Sequence, residues 1–321
     1  MIRVCAMTAI ATALLLSATS ARAQESVSEL TLAPSFSAQP PSETSNPPSS
    51  VLSLEMLPED QSVYSPPAPP KEDEGFNSGG VNIDLTFRYM TDNVYRGVSR
   101  TEQENHPHSN NLQFEGRLDF NLGKLPHPFI GSFVNIHSSD PISRFQEIRP
   151  YFGLNWNLRP FVVEAGNITY IFPERDNMNT GEVYTKITFD DSWLLRTDTP
   201  IVSPYVLAAY DYDKYNGWYF EAGIKHDFVF ENTGFTLTTL AAIAFVANNP
   251  FYATRPHGND TGLQHYEIGL VGQYSLNHLF KFSPRYGTFT LEGYLYYDDR
   301  TSSDLRANIQ IWGGGGMAFR Y

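Results

Sequence analysis

The chain has 321 residues, 41% hydrophobic and only 18% charged, with a formal net charge of -13. That length allows one or two domains, and so acidic a chain is a poor partner for nucleic acid, whose phosphates need basic surface. Aromatic residues reach 14%, with 19 Tyr and 22 Phe, a bias that strands carrying aromatic belts would produce.

Met1 to Ala23 reads as a secretory signal. Arg3 supplies the positive start, Ala6 to Ala18 is a short apolar run, and Ala21-Arg22-Ala23 is a small-x-small cleavage site before Gln24. The run is too short for a spanning helix with these flanks. The single cysteine, Cys5, lies inside it and ahead of the apolar core, so it is not an acylation site at the cleavage point. The mature chain is then expected to have no thiol, which excludes disulfides, Cys metal sites and Cys nucleophiles.

Residues 24–80 are different material, rich in Pro, Ser and Glu, as in Ser65-Pro66-Pro67-Ala68-Pro69-Pro70. Such a segment buries too little apolar surface to offset its ordering entropy. It reads as a disordered periplasmic tail, either passive or a tether to partners.

Alternation starts at Val81 and defines the third segment, residues 81–321. Val81, Ile83, Leu85, Phe87 and Tyr89 share one face, and Asn82, Asp84, Thr86 and Arg88 the other. A period of two means a strand between two environments. A one-residue slip would turn Arg88 into lipid at a cost of roughly 2–4 kcal/mol near the midplane, so the register is well specified. Leu112–Leu122, Ile148–Leu158, Val183–Phe189, Phe220–Phe228, Ile268–Tyr274 and Phe289–Tyr297 repeat the pattern. Phe129–His137, Phe161–Ile171 and Pro204–Tyr212 are placed as strands by length and flanking turns, and Leu237–Ala247 completes the set. The last strand is read as Leu305–Tyr321, ending the chain on an aromatic.

No stretch after the leader offers a spanning helix, so entry into a membrane requires a closed barrel, which satisfies its own backbone groups. The expected fold is all-β, a transmembrane antiparallel up-and-down β-barrel of about twelve strands with a disordered N-terminal tail. With both termini periplasmic, the turns near Lys124, Arg159-Pro160 and Asn232-Thr233 are periplasmic, and 91–109, 173–180 and 248–262 face outside. Two long connections, 191–203 and 277–287, fall on the periplasmic side, and either are insertions or conceal a strand pair.

Several stretches in order resemble the Gcw-type conserved hypothetical proteins, a family of outer-membrane β-barrels of porin type. Tyr95-Arg96-Gly97-Val98-Ser99 is similar to that family's aromatic-Arg-Gly-hydrophobic-Ser signature after the first strand. Glu147-Ile148-Arg149-Pro150-Tyr151-Phe152-Gly153 and Gly166-Asn167-Ile168-Thr169-Tyr170-Ile171-Phe172-Pro173 resemble two of its strands. Trp218-Tyr219-Phe220-Glu221 and Ile311-Trp312-Gly313-Gly314 also fit, whereas the Pro-rich tail departs from the pattern. The resemblance implies architecture and a bacterial outer-membrane location rather than an activity. It also fits a terminal aromatic, with Phe319 and Tyr321, as the mark for the barrel-assembly machinery.

The inward faces would carry Asp84, Arg88, Glu115, Arg117, Glu147, Arg149, Glu164, Glu182, Lys186, Glu221, Lys225, Asp227, Glu267, Glu292 and Arg306. These groups can line a water-filled pore for small polar solutes, or pair across the lumen and close it. Acidic groups outnumber basic ones, so an open pore leans towards cations. In the first loop Tyr95 and Arg96 are candidates for a constriction or a rim tie, and Arg96 could also touch lipopolysaccharide phosphate. The chief alternative is a closed structural or adhesion barrel binding partners through its outer loops. A lipid-modifying hydrolase would use His137 and Ser139, which project to one face of a strand as base and nucleophile, although no third orienting group is visible. Glu102, Glu104, His106 and His108 read as a solvated loop rather than a metal site. No cofactor and no metal are implied.

Overall fold

The alternating runs pair edge to edge until the sheet has no free edge. The computed structural model describes residues 80–100, 110–137, 145–173, 176–197, 199–230, 232–256 and 258–321. The signal and tail assignments, Ser139 and the acidic-histidine loop lie outside those residues. The first strand is β1 (Val81–Met90), followed by a small hairpin of β2 (Val94–Tyr95) and β3 (Val98–Ser99). Then come β4 (Asn111–Phe120), β5 (His127–His137), β6 (Phe145–Leu158), β7 (Phe161–Tyr170) and β8 (Thr180–Phe189). The series continues with β9 (Tyr205–Asp211), β10 (Trp218–Phe230), β11 (Phe235–Ala247), β12 (Gly262–Ser275), β13 (Thr288–Arg300) and β14 (Gln310–Arg320). All but β2 and β3 pair antiparallel with their neighbours in chain order, and β1 also pairs with β14, closing a barrel of twelve strands.

The two faces separate as the alternation requires. On β1, Leu85, Phe87 and Tyr89 point outward and are exposed, while Thr86, Arg88 and Met90 are buried inside. Ile130, Phe152, Leu154, Trp156, Val183 and Ile187 continue the outer apolar band. Aromatic pairs ring both ends: Phe161 with Phe189 and Phe289 with Phe319 near the termini, and Tyr210 with Trp218 at the other end. A closed sheet with an apolar outer face satisfies every backbone group internally and presents hydrocarbon to hydrocarbon. The class is therefore a transmembrane antiparallel up-and-down β-barrel.

Both long connections at the terminal end prove to be insertions, not a missed strand pair. One holds helix α1 (Ser192–Leu195) and the other helix α2 (Leu276–Phe280). The Asp191 carboxylate accepts from the Ile201 and Val202 amides at 2.8 and 2.7 Å, which folds the first back on itself. Asn277 spans the second, donating to Gly287 O at 2.8 Å and accepting from Phe289 N at 2.6 Å. Trp193, Leu194 and Phe280 stay exposed there, the placement expected of anchors at a membrane–water boundary.

The closing strand is shorter than its alternation suggests. It begins at Gln310. Leu305 is buried and bridges to Ala253, and Arg306 N donates to Tyr252 O at 2.6 Å. Residues 305 and 306 thus leave the ladder because Leu305 has apolar neighbours in the mouth of the barrel. Arg306 is corrected accordingly: it is an exposed loop residue over the Phe251 ring, not a side chain on the inward face of a strand.

The core lies inside the barrel. One apolar cluster gathers Tyr95, Phe129, Tyr151, Tyr170, Tyr184 and Tyr219, and a second gathers Met90, Val94, Val271, Tyr294, Tyr296 and Trp312. The tyrosine excess was expected in outer belts, yet much of it fills the lumen.

Candidate functional site

Most of the inward carboxylates are buried, with Asp84, Glu115 and Asp227 half-buried, and they need partners, because an isolated buried charge is very costly. Arginines supply some. Arg117, 2% exposed, holds Asp119 through Nε and Nη2 at 2.8 and 2.9 Å and reaches Glu164 on β7 at 3.1 Å. Arg88 contacts Glu115 at 3.4 Å and Arg149 contacts Glu147 at 3.4 Å. Lys225 pairs with Asp227 at 3.2 Å, and Arg320 lies 3.3 Å from Asp84 and 3.6 Å from Glu292.

Tyrosines supply more. Glu221 accepts from Tyr205 and Tyr219 at 2.7 and 2.6 Å, Glu164 from Tyr184 at 2.7 Å, and Glu115 from Tyr151 at 3.2 Å. Glu292 accepts from Tyr294 and from Gln273. A tyrosine fills lumen volume with its ring and neutralises a carboxylate's hydrogen-bond demand with its hydroxyl, which is how more acids than bases can be packed here. Lys186 lies opposite Glu164 in the ladder and 4.5 Å from the Tyr205 ring centre. Glu267 faces Asp298 across β12 and β13, and Trp312 Nε1 donates to Asp298 at 2.5 Å.

At the loop end, away from the termini, the β2–β3 hairpin folds into the mouth of the barrel. Tyr95 pairs with Val98, leaving Arg96 and Gly97 as a two-residue turn with φ of 51° and 69°. Positive φ at both positions is the type I′ geometry that matches hairpin twist. Gly97 is also where an added Cβ would lie 2.6 Å from His265 Cγ. Arg96 holds a left-handed conformation that costs an L-residue roughly 1–2 kcal/mol. A bidentate pair offsets it: Nη1 and Nη2 donate to the two oxygens of Glu182 on β8 at 2.6 and 2.7 Å.

Further ties hold the hairpin inward. Arg100 donates to Glu147 at 2.6 Å, and Asn93 Nδ2 donates to the same carboxylate at 3.3 Å. Tyr95 and Tyr170 share a short hydroxyl contact. Gln264 Nε2 donates to Arg96 O at 2.7 Å, and Asn308 N to Gly97 O at 2.7 Å. Val94, Tyr95 and Val98 are each at most 2% exposed. A cavity of about 30 Å³ remains beside Tyr95, Arg96, Arg100 and Glu182, room for about two waters. Replacing Gly97 by Ala adds the left-handed penalty and the His265 clash. It is expected to weaken hairpin docking by about 1–2 kcal/mol, read as faster hydrogen exchange at the Tyr95 and Val98 amides.

Tyr95 and Arg96 are therefore drawn inside and tied to the opposite wall. Sequence reasoning missed Arg100, the tyrosine hydroxyls and the hairpin itself. The signal available was Arg96-Gly97 between Val94-Tyr95 and Val98-Ser99, two short β-prone pairs around a glycine-containing turn. His137 ends β5 opposite Asn111, while Ser139 lies outside the described residues. Among the described residues, no group of three or more His, Cys, Asp or Glu side chains could hold a metal ion. Phe319 faces outward against Phe289, and Tyr321 exchanges backbone hydrogen bonds with Ile83 at the closing seam.

No family model matches the chain. No curated protein matches it either, so the resemblance to the Gcw-type proteins rests on the short motifs alone. Among solved structures, the chain is similar to the NanC porin, with 13% identity over 74% of this chain and 98% of that one and a TM-score of 0.41. It is also similar to an outer membrane channel from Pseudomonas putida F1, at 9% identity over 79% and 100% of the two chains, TM-score 0.43. A third is OccK1 from Pseudomonas aeruginosa, at 7% identity over 75% and 98%, TM-score 0.31. The barrel itself rests on the strand ladders described above.

Proposed function

We propose that this protein is a porin-type channel of the bacterial outer membrane, related to the Gcw-type barrels, that passes small polar solutes by passive diffusion and is gated by its first loop. The observation that carries this is the nature of the stopper. A loop hairpin, Val94–Ser99, lies in the mouth, belongs to no barrel ladder and is held by ion pairs. Such an element can leave without breaking a strand pair. The apolar outer band and the leader-like start support the location, and Phe319 and Tyr321 are suited to the assembly machinery. Lipids and lipopolysaccharide would surround the outer face.

Replacing residues 94–99 by Gly and Ser, then refolding the full chain into a planar bilayer, tests the reading. A barrel that is mostly silent as wild type should show stable, salt-dependent steps after replacement. The steps should prefer cations, because removing Arg96 leaves the lumenal acids further in excess. A second reading, a closed structural barrel that binds partners through its outer loops, is favoured by the Arg117–Glu164 pair lower in the lumen. Silence from a hairpin-replaced barrel with a normal heat-modifiable gel shift would end the channel reading and leave the second one.

A further inference from the structure

The hairpin shows what the mouth of the barrel is built to hold. Two guanidinium groups dock there, and both come from the first loop. Arg96 lies with its two Nη atoms on Glu182, and its Cζ is 4.1 Å from the Tyr219 ring centre. Arg100 donates to Glu147, with Cζ 5.4 Å from the ring centres of both Tyr170 and Phe172. Without the loop, the wall keeps Glu182 beside the Tyr219 ring, and Glu147 beside Tyr170 and Phe172 with Arg149 still 3.4 Å away. Glu182 accepts two parallel N–H bonds beside a ring to stack on, the combination that selects guanidinium over ammonium, and Glu147 adds a second, singly bonded carboxylate.

We infer that the outer vestibule is a recognition site for small guanidinium-bearing solutes, which compete with Arg96 and Arg100 for Glu182 and Glu147 and so release the hairpin. This rests on the channel reading for its purpose, but the site itself does not. While the loop is docked, Arg96 takes both oxygens of Glu182 and Arg100 takes Glu147, which leaves neither carboxylate a free edge for a second guanidinium. Solute binding and hairpin docking therefore exclude one another, and a ligand that binds one of two states shifts the population towards it. The ligand's carbon chain would take the volume that Tyr95 and Val98 now fill.

Cys5 is the chain's only cysteine, so the test can be made without conductance. In a full-length chain carrying Cys5→Ser, Val98→Cys places one thiol at a site 1% exposed. Its maleimide labelling rate in the refolded barrel reports hairpin release. L-arginine amide at millimolar concentration should accelerate labelling about tenfold, and L-lysine amide, of equal charge, far less at matched ionic strength. Glu182→Gln should label fast and lose most of the arginine response. Should Val98→Cys not fold by gel shift, Ser99→Cys, 5% exposed, serves in its place. Equal acceleration by the two amides, or none by either, overturns the inference. Arginine-selective labelling in a barrel that never conducts would uphold this site while removing the channel.

Discussion

Arg96→Ala is expected to turn a mostly closed barrel into a frequently open one. Arg96 is 8% exposed, and its partner Glu182 is 4% exposed. Removing one member of a buried pair leaves the other charge uncompensated and costs about 3–5 kcal/mol. Glu182 would keep only Tyr170, at 3.2 Å, among the donors described around it at the mouth. If that cost falls on the docked hairpin, the undocked population rises on the order of a hundredfold or more. Undocking relieves it, because Glu182 can then be hydrated. Arg96→Lys should fall between wild type and Arg96→Ala. Lysine keeps the charge but cannot make the two parallel bonds. Single-channel open probability in planar bilayers should rank wild type below Arg96→Lys and Arg96→Ala highest. Three equally silent, folded barrels would show that the hairpin is not the gate.

The fold was legible because its signal is local and repeated. Phe87 beside Arg88, or Ile187 beside Lys186, assigns a face at each step, and lipid enforces the assignment. The closing strand misled at Leu305 because alternation cannot tell a lipid-facing leucine from one buried under a loop. Tyrosine is ambiguous for a related reason: an amphipathic ring suits an interfacial belt and a packed lumen equally. The contacts that make the site left no local trace. Arg96 and Glu182 are 86 residues apart, and Arg117 and Glu164 are 47 apart. Sequence could list the inward charges as lining or closing a lumen. Only the spatial pairing shows which of them meet. The hairpin escaped because two-residue strands carry no period, and its turn places Arg where Asn or Asp is usual.

That pairing makes the second large prediction, which separates a filled lumen from a wet one. Arg117→Met should lower barrel stability by about 3–5 kcal/mol. Arg117 is the cation between Asp119 and Glu164, and its guanidinium also lies 3.9 Å from the Phe129 ring centre. Met keeps much of the apolar stem, so the loss comes from two carboxylates buried without their cation. Asp119 retains Asn155 at 3.2 Å and Glu164 retains Tyr184, which limits the loss without cancelling it. Adding Asp119→Asn and Glu164→Gln to Arg117→Met should recover most of the stability, since neutral amides remove the stranded charge and leave smaller hydrogen-bonding demands. The urea midpoint for unfolding from detergent micelles, at unchanged slope, measures both. In a water-filled pore the same arginine would be a solvated ion-pair member worth less than about 1 kcal/mol, and the single variant would match wild type. A large loss that the triple variant repairs means the lower lumen is packed and dry at rest. Withdrawing the hairpin then admits the water that hydrates the Arg117 layer, and Arg117→Met, with its hairpin intact, should not by itself raise open probability.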